Sequence, residues 1–214
     1  MQGKLDPVTE TQQEIKRVVQ FLYKCKKCNP CLVGDPDVGK TVIVEGLAAK
    51  IVGQAVPPKL LGNKIYALDM GRLIAGAANR GEFKERLIKV IDEVKISQGA
   101  IIIFIDELHT LVGAGGGGSA LDVANILKPT LARGELKCIG ATTMQEYKSY
   151  IEKDGALKRW FQSVDVLEPS IAKATEILKG LRHKYESFHG VRYEDKALVA
   201  TVMLSNKIIR DRFL

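Results

Sequence analysis

Nothing in this 214-residue chain is apolar for long enough to cross a bilayer. The longest run, residues 100–105, is a fraction of the ~20 residues that a helical span needs. The opening Met1-Gln2-Gly3-Lys4-Leu5-Asp6 lacks the apolar core of a secretory signal, so no sorting address is expected. Cysteines number four. Three fall in Cys25-Lys26-Lys27-Cys28-Asn29-Pro30-Cys31, where CxxC spacing raises zinc or a redox pair. A structural zinc wants four ligands, and Cys138 sits in an apolar strand pattern with no histidine near it in sequence. No metal is therefore expected at the cysteines, which read as thiols of a reducing compartment. Aromatics make up 6%, and no aromatic-basic stripe of the nucleic-acid-binding kind stands out. The formal charge of +7 is carried by bases interleaved with acids, as in Glu82-Phe83-Lys84-Glu85-Arg86, which is the pattern of solvated helix faces. Membrane and nucleic-acid partners are not expected.

With 46% hydrophobic and 27% charged residues, the chain can bury the core of one large domain plus a smaller one. Ile15, Val18, Val19 and Leu22 recur at helical spacing, predicting a helix over residues 10–24. Cys31-Leu32-Val33 reads as a short buried strand, followed by a helix with Val44, Leu47, Ala48 and Ile51 on one face. Strands are expected again at 64–68, 100–105, 138–141 and 161–166, with helices between them marked by Phe83, Leu87, Val90, Ile91 and Val94 and by residues 123–132. A glycine tract at 113–118 breaks regular structure as a loop or pore-facing turn. Strands alternating with helices predict an α/β fold with a parallel sheet covered on both faces. After Pro169 the pattern turns all-helical, with Ser170 as cap and Gly190 as stop. Residues 1–167 are thus expected as a large nucleotide-binding domain and 168–214 as a partial helical lid.

Two motifs carry chemistry. Gly34-Asp35-Pro36-Asp37-Val38-Gly39-Lys40-Thr41 fits the P-loop pattern and stands between a buried strand and a helix start. Backbone amides of such a loop, with the helix dipole behind them, make an anion site. Lys40 would reach the outer phosphates of ATP, and Thr41 would hold Mg2+. The second motif, Ile102-Ile103-Phe104-Ile105-Asp106-Glu107, is an apolar strand delivering two carboxylates at its C-terminal end, where open α/β sheets bind ligands. Asp106 would hold the magnesium shell and Glu107 would orient and deprotonate the attacking water. Asp106-Glu107-Leu108-His109 also spells a helicase-type DExH box, but a helicase needs a second such domain, and only about fifty residues follow the last strand. His109 reads as a structural or loop histidine.

The stretches Asp6-Pro7-Val8, Val44-Glu45-Gly46-Leu47-Ala48, Leu68-Asp69-Met70-Gly71, Arg80-Gly81-Glu82-Phe83, Ile105-Asp106-Glu107-Leu108-His109-Thr110, Leu131-Ala132-Arg133-Gly134-Glu135-Leu136 and Ile151-Glu152-Lys153-Asp154 resemble, in order and spacing, the first AAA+ ATPase module of the ClpB/ClpC class of Clp chaperones. Asp211-Arg212-Phe213-Leu214 is similar to the ClpC branch. The resemblance implies a P-loop AAA+ sheet and a lid, with Val8 on the adenine side of the nucleotide. It also implies that Thr142 or Thr143 senses the γ-phosphate and that Arg159 is an arginine finger acting on the neighbouring subunit. ATP hydrolysis would then drive unfolding of unfolded or aggregated protein substrates in a homo- or hetero-oligomeric ring, a hexamer by the family's habit. ClpC-type members also feed a Clp-type protease. An intracellular, soluble protein follows, in the chloroplast stroma for a plant ClpC-like chain and in the cytoplasm otherwise.

Four working positions depart from the family pattern. Asp37 stands where the P-loop usually has glycine, Thr9-Glu10-Thr11 replaces Ile-Gly-Arg, Asn79 replaces the pore aromatic, and Arg159-Trp160 replaces a pair of arginines. Asp37 either faces the phosphates and weakens binding or turns outward. These departures keep a second class of function open, a non-hydrolysing ATP-binding subunit that regulates a ring. A nucleic-acid motor is a third.

Overall fold

The computed structural model describes residues 11–24, 28–75, 77, 79–112 and 123–209. Among them a five-stranded sheet runs in the order β2-β3-β4-β1-β5, with every pairing parallel. Its strands are β1 (Asn29–Val33), β2 (Lys64–Ala67), β3 (Ile101–Ile105), β4 (Lys137–Thr142) and β5 (Phe161–Asp165). The helices are α1 (Gln12–Lys24), α2 (Lys40–Val52), α3 (Met70–Ala75), α4 (Arg80–Ile96), α5 (Val123–Arg133), α6 (Met144–Glu146), α7 (Gly155–Trp160), α8 (Ile171–His189) and α9 (Asp195–Ile208).

Side chains along a strand alternate between faces, and in the inner strands both faces are apolar. Leu32, Ile102, Phe104, Ile139 and Ala141 pack with Ile15, Val18 and Leu22 of α1 and Ile43 and Leu47 of α2. Cys31, Val33, Ile103, Ile105 and Cys138 point the other way, into a cluster with Phe83, Leu87 and Ile91 of α4 and Leu127 and Leu131 of α5. Each of these aliphatic side chains contributes about 1.5–3 kcal/mol through burial. Cys31 and Cys138 are free and buried, and burial pushes both thiols up. Cys28, expected as a thiol, is instead disulfide-bonded.

β1 begins two residues earlier than the apolar run, and it includes Pro30 although the strand is internal. Proline has no N–H for a ladder. Pairing with β4 starts only at Cys31, and the Asn29 carboxamide oxygen accepts from the Cys138 N–H at 2.9 Å. A side-chain oxygen thus gives the Cys138 N–H its acceptor where backbone pairing of β1 with β4 has not yet begun. Beyond β5, Ser170 accepts from Lys173 N at the start of α8, and Gly190 closes that helix in the left-handed region. The α8–α9 pair follows.

Candidate functional site

The C-terminal ends of β1, β3 and β4 open on one cavity of about 470 Å3, lined by Pro36, Asp37, Gly39, Lys40, Thr41, Val42, Asp106, Glu107, His109, Thr142, Thr143 and Glu146. The loop after β1 turns on two glycines. A Cβ at Gly34 would lie 2.2 Å from the Val166 carbonyl oxygen, and Gly39 has φ +90°. Gly39 also begins α2 without a capping side chain, so the first amides of that helix face the cavity unpartnered by any cap. That is the arrangement an anion needs. Lys40 Nζ donates to the carbonyl oxygens of Gly34 at 3.0 Å and Asp35 at 2.6 Å, which leaves one of its three protons uncommitted. Asp37 adopts φ +62° and lines the cavity with Lys40.

Asp106 and Glu107 sit beyond the end of β3, both exposed. Glu107 N–H donates to Asp106 Oδ1 at 3.0 Å, and Glu107 itself holds φ +50°. Left-handed backbone at a glutamate is strained, and such strain is characteristic of functional turns. Thr41, on the first turn of α2, and Asp106 supply hydroxyl and carboxylate oxygens to the same cavity, the hard donors suited to Mg2+.

The third side of the cavity is a polar cluster in which Thr142, Thr143 and His109 surround a residue that sequence reading missed, Glu146. Thr143 caps α6 in a reciprocal capping box with Glu146. Glu146 Oε2 accepts from Thr142 Oγ1 at 2.9 Å and Thr143 N at 3.0 Å, and lies 3.1 Å from His109 Nδ1. Burial pushes the Glu146 carboxyl up, but the Thr143 amide and hydroxyl, the Thr142 hydroxyl and the nearby His109 outweigh it and hold it below its ordinary range. An ionised carboxylate only accepts, so His109 carries its proton on Nδ1. His109 thus has the structural role expected of it, as a wall of the cavity. The Thr143-Met144-Gln145-Glu146 spacing is itself a capping-box signature and would have flagged the glutamate. Thr142 is 3% exposed, while Thr143 is half-buried.

Gly34, Asp35, Val38 and Arg159 are outside the cavity lining. Gly34 and Asp35 still take part through Lys40, and Val38 is buried under the loop. Arg159 is exposed on α7. That helix is started by Asp154, whose Oδ1 accepts from Ala156 N at 2.9 Å and Leu157 N at 3.1 Å, and whose Oδ2 meets Lys128 Nζ at 2.8 Å. Trp160 packs against the core. Asn79 caps α4, accepting from Glu82 N at 3.0 Å. Val8, Cys25, the glycine tract 113–118 and residues 211–214 lie outside the described residues. Among the described residues no helix is long and apolar enough to cross a membrane.

Residues 30–159 match the family model "ATPase family associated with various cellular activities (AAA)", and residues 170–214 match an AAA lid domain. The chaperone protein ClpB of Bdellovibrio bacteriovorus is 59% identical over 213 residues, covering 100% of this chain and 25% of that protein. ClpB of Rhodopseudomonas palustris is 58% identical, over 99% of this chain and 24% of that one. The Saccharomyces cerevisiae Hsp104–ADP complex superposes with TM-score 0.89 at 48% identity, and the Hsp104–casein complex with 0.88 at 47%. Each covers 99% of this chain and 36% of the Hsp104 chain. The chain thus spans about a quarter of the ClpB relatives it matches.

Proposed function

The chain belongs to the AAA family of ATPases, and on that premise we propose that it binds and hydrolyses ATP as the first ATPase module of a ClpB/Hsp104-type chaperone. The observation that carries this is the convergence of Lys40, Thr41, Asp106 and Glu107 on one cavity, built on an uncapped helix start. Lys40 and the α2 amides take the phosphates. Thr41 and Asp106 hold Mg2+, which supplies charge neutralisation on the phosphate oxygens. Glu107 orients the attacking water and accepts its proton. Of the two candidate sensors Thr143 is the better suited, because Thr142 is buried while Thr143 is half-buried on the cavity wall.

Arg159 is exposed and away from its own chain's cavity, as a finger acting on a neighbouring subunit's nucleotide must be. That favours a ring, hexameric by the family's habit. Unfolded or aggregated polypeptide is the proposed substrate, in keeping with the Hsp104–casein likeness. Residues 1–167 serve as the nucleotide-binding domain and 168–214 as the lid, in keeping with the two family matches. A protease partner and a chloroplast location have no support in relatives that are bacterial ClpB and yeast Hsp104 proteins, and a cytoplasmic site of action is proposed instead. The likenesses also favour a chaperone over a nucleic-acid motor. Glu107→Gln tests the hydrolytic assignment: ATP should still bind while phosphate release stops. Parallel loss of binding and turnover would show that Glu107 has been misassigned.

A further inference from the structure

Two strand ends bring the reacting groups of the proposed site together, β3 followed by the loop carrying Asp106 and Glu107, and β4 ending at Thr142 with Thr143 directly after it. The strands are adjacent, but their mutual pairing stops at Ile105–Gly140; beyond it Thr142 stays paired to Val33 of β1, and backbone pairing does not tie the Glu107 loop to it. Leu108 packs against Gly140 of β4, and the polar link between the two segments centres on one oxygen. Glu146 Oε2 is within 3.1 Å of Thr142 Oγ1, Thr143 N and His109 Nδ1 together. His109 lies in the single turn of helix directly after Glu107, and that turn is closed onto Glu107 by the Thr110 N–H donating to its carbonyl at 2.8 Å. The His109 ring nitrogen also lies 3.4 Å from Thr142 Oγ1, and its ring stands 6.0 Å from that of Tyr150.

We propose that Glu146 is a positioning residue that yokes the Glu107 loop to the Thr143 loop, so that water activation and γ-phosphate sensing are held in one geometry. The proposal rests on the nucleotide-site reading above. Three donors on one oxygen need a full negative charge, because charge-assisted bonds are about twice as strong as neutral ones. A neutral amide of the same shape keeps the capping box, since glutamine serves there as well as glutamate. Its carbonyl oxygen can take the same place but carries no charge, so it holds the three donors more weakly. The carboxylate is thus separable from the helix cap by a single substitution.

The test is equilibrium binding of ADP and of ATPγS, each with Mg2+, to the intact chain and to Glu146→Gln. The variant should keep its ADP affinity within about twofold and lose about tenfold in ATPγS affinity, the equivalent of one charge-assisted bond. Thr142→Val, which removes one of the three donors, should lose less, in the same direction. Two results would overturn the yoke: unchanged preference for ATPγS in Glu146→Gln, or equal weakening of both nucleotides, which would mark Glu146 as scaffolding only. Failure of the unmodified chain to bind either nucleotide would instead overturn the site assignment together with everything built on it.

Discussion

Replacing Asp37 separates two physical effects that coincide at one residue. Its φ of +62° is a conformation that costs most L-residues roughly 1–2 kcal/mol and aspartate somewhat less. Glycine adopts it freely but loses more chain entropy on folding. Asp37→Gly should therefore raise stability by only about 0.5–1 kcal/mol. The electrostatic effect is larger. With the carboxylate roughly 5 Å from a phosphate charge, repulsion is ~3 kcal/mol at an effective dielectric of 20 and ~1 kcal/mol at that of water. Asp37 is exposed, so the answer falls between these limits, a gain of about fourfold to two-hundredfold in ATP affinity when the charge is removed. Asp37→Asn has the same left-handed tolerance without the charge, and it should show the affinity gain with almost no change in stability. Titration calorimetry with Mg-ATP and thermal melts of both variants separate the two. Raising the salt should shrink the affinity difference. Unchanged affinity in Asp37→Asn would refute the claim that this side chain opposes the phosphates.

Asn79→Tyr restores the aromatic expected of a pore loop but removes the cap on α4, so it should lower stability by about 1 kcal/mol while raising unfolding of a model substrate in a ring assay more than ATP turnover; no gain in unfolding would place the grip elsewhere. Asp154→Asn should destabilise the chain at neutral pH. Hydrogen bonding to Lys128, against the opposing effect of burial, and the amides of Leu157 and Ala156 hold the Asp154 carboxyl below its ordinary range. Its contribution is therefore full above the unfolded value of about 3.9 and fades as pH falls through the lower folded value, so wild-type and variant melts should converge in acid. Leu32→Ala, at a fully buried position of β1, should destabilise by about 2–5 kcal/mol, read by denaturant unfolding.

The P-loop and the acidic strand end were legible because their chemistry is local: a glycine-bounded loop between strand and helix, and an apolar run ending in two acids. The parallel sheet followed from alternation, and its inner strands read as unbroken apolar runs because helices cover both faces. The start of β1 was not legible, since Pro30 argues against an internal strand and the Cys138 N–H that the Asn29 side chain satisfies lies over a hundred positions away. Short helices such as α3 and α7 have too few residues to show a period. Glu146 stayed hidden for another reason. A glutamate three residues after a threonine reads as a helix cap, and its second role depends on His109, brought close only by the pairing of β3 with β4. The strained backbone of Glu107 leaves no mark in sequence at all.

The central claim is that Lys40, held at the mouth of an uncapped helix, makes this cavity a nucleotide site. Among the described residues four carboxylates, Asp37, Asp106, Glu107 and Glu146, line it against that one lysine, so a polyanion should need a divalent cation to enter. Titration of ATP into the intact chain and into Lys40→Ala, with Mg2+ and then with EDTA, tests this directly. Saturable binding should appear with Mg2+, weaken sharply in EDTA and vanish in Lys40→Ala while the variant's circular dichroism and melt stay unchanged. Binding of equal strength in the well-folded Lys40→Ala chain would contradict the account.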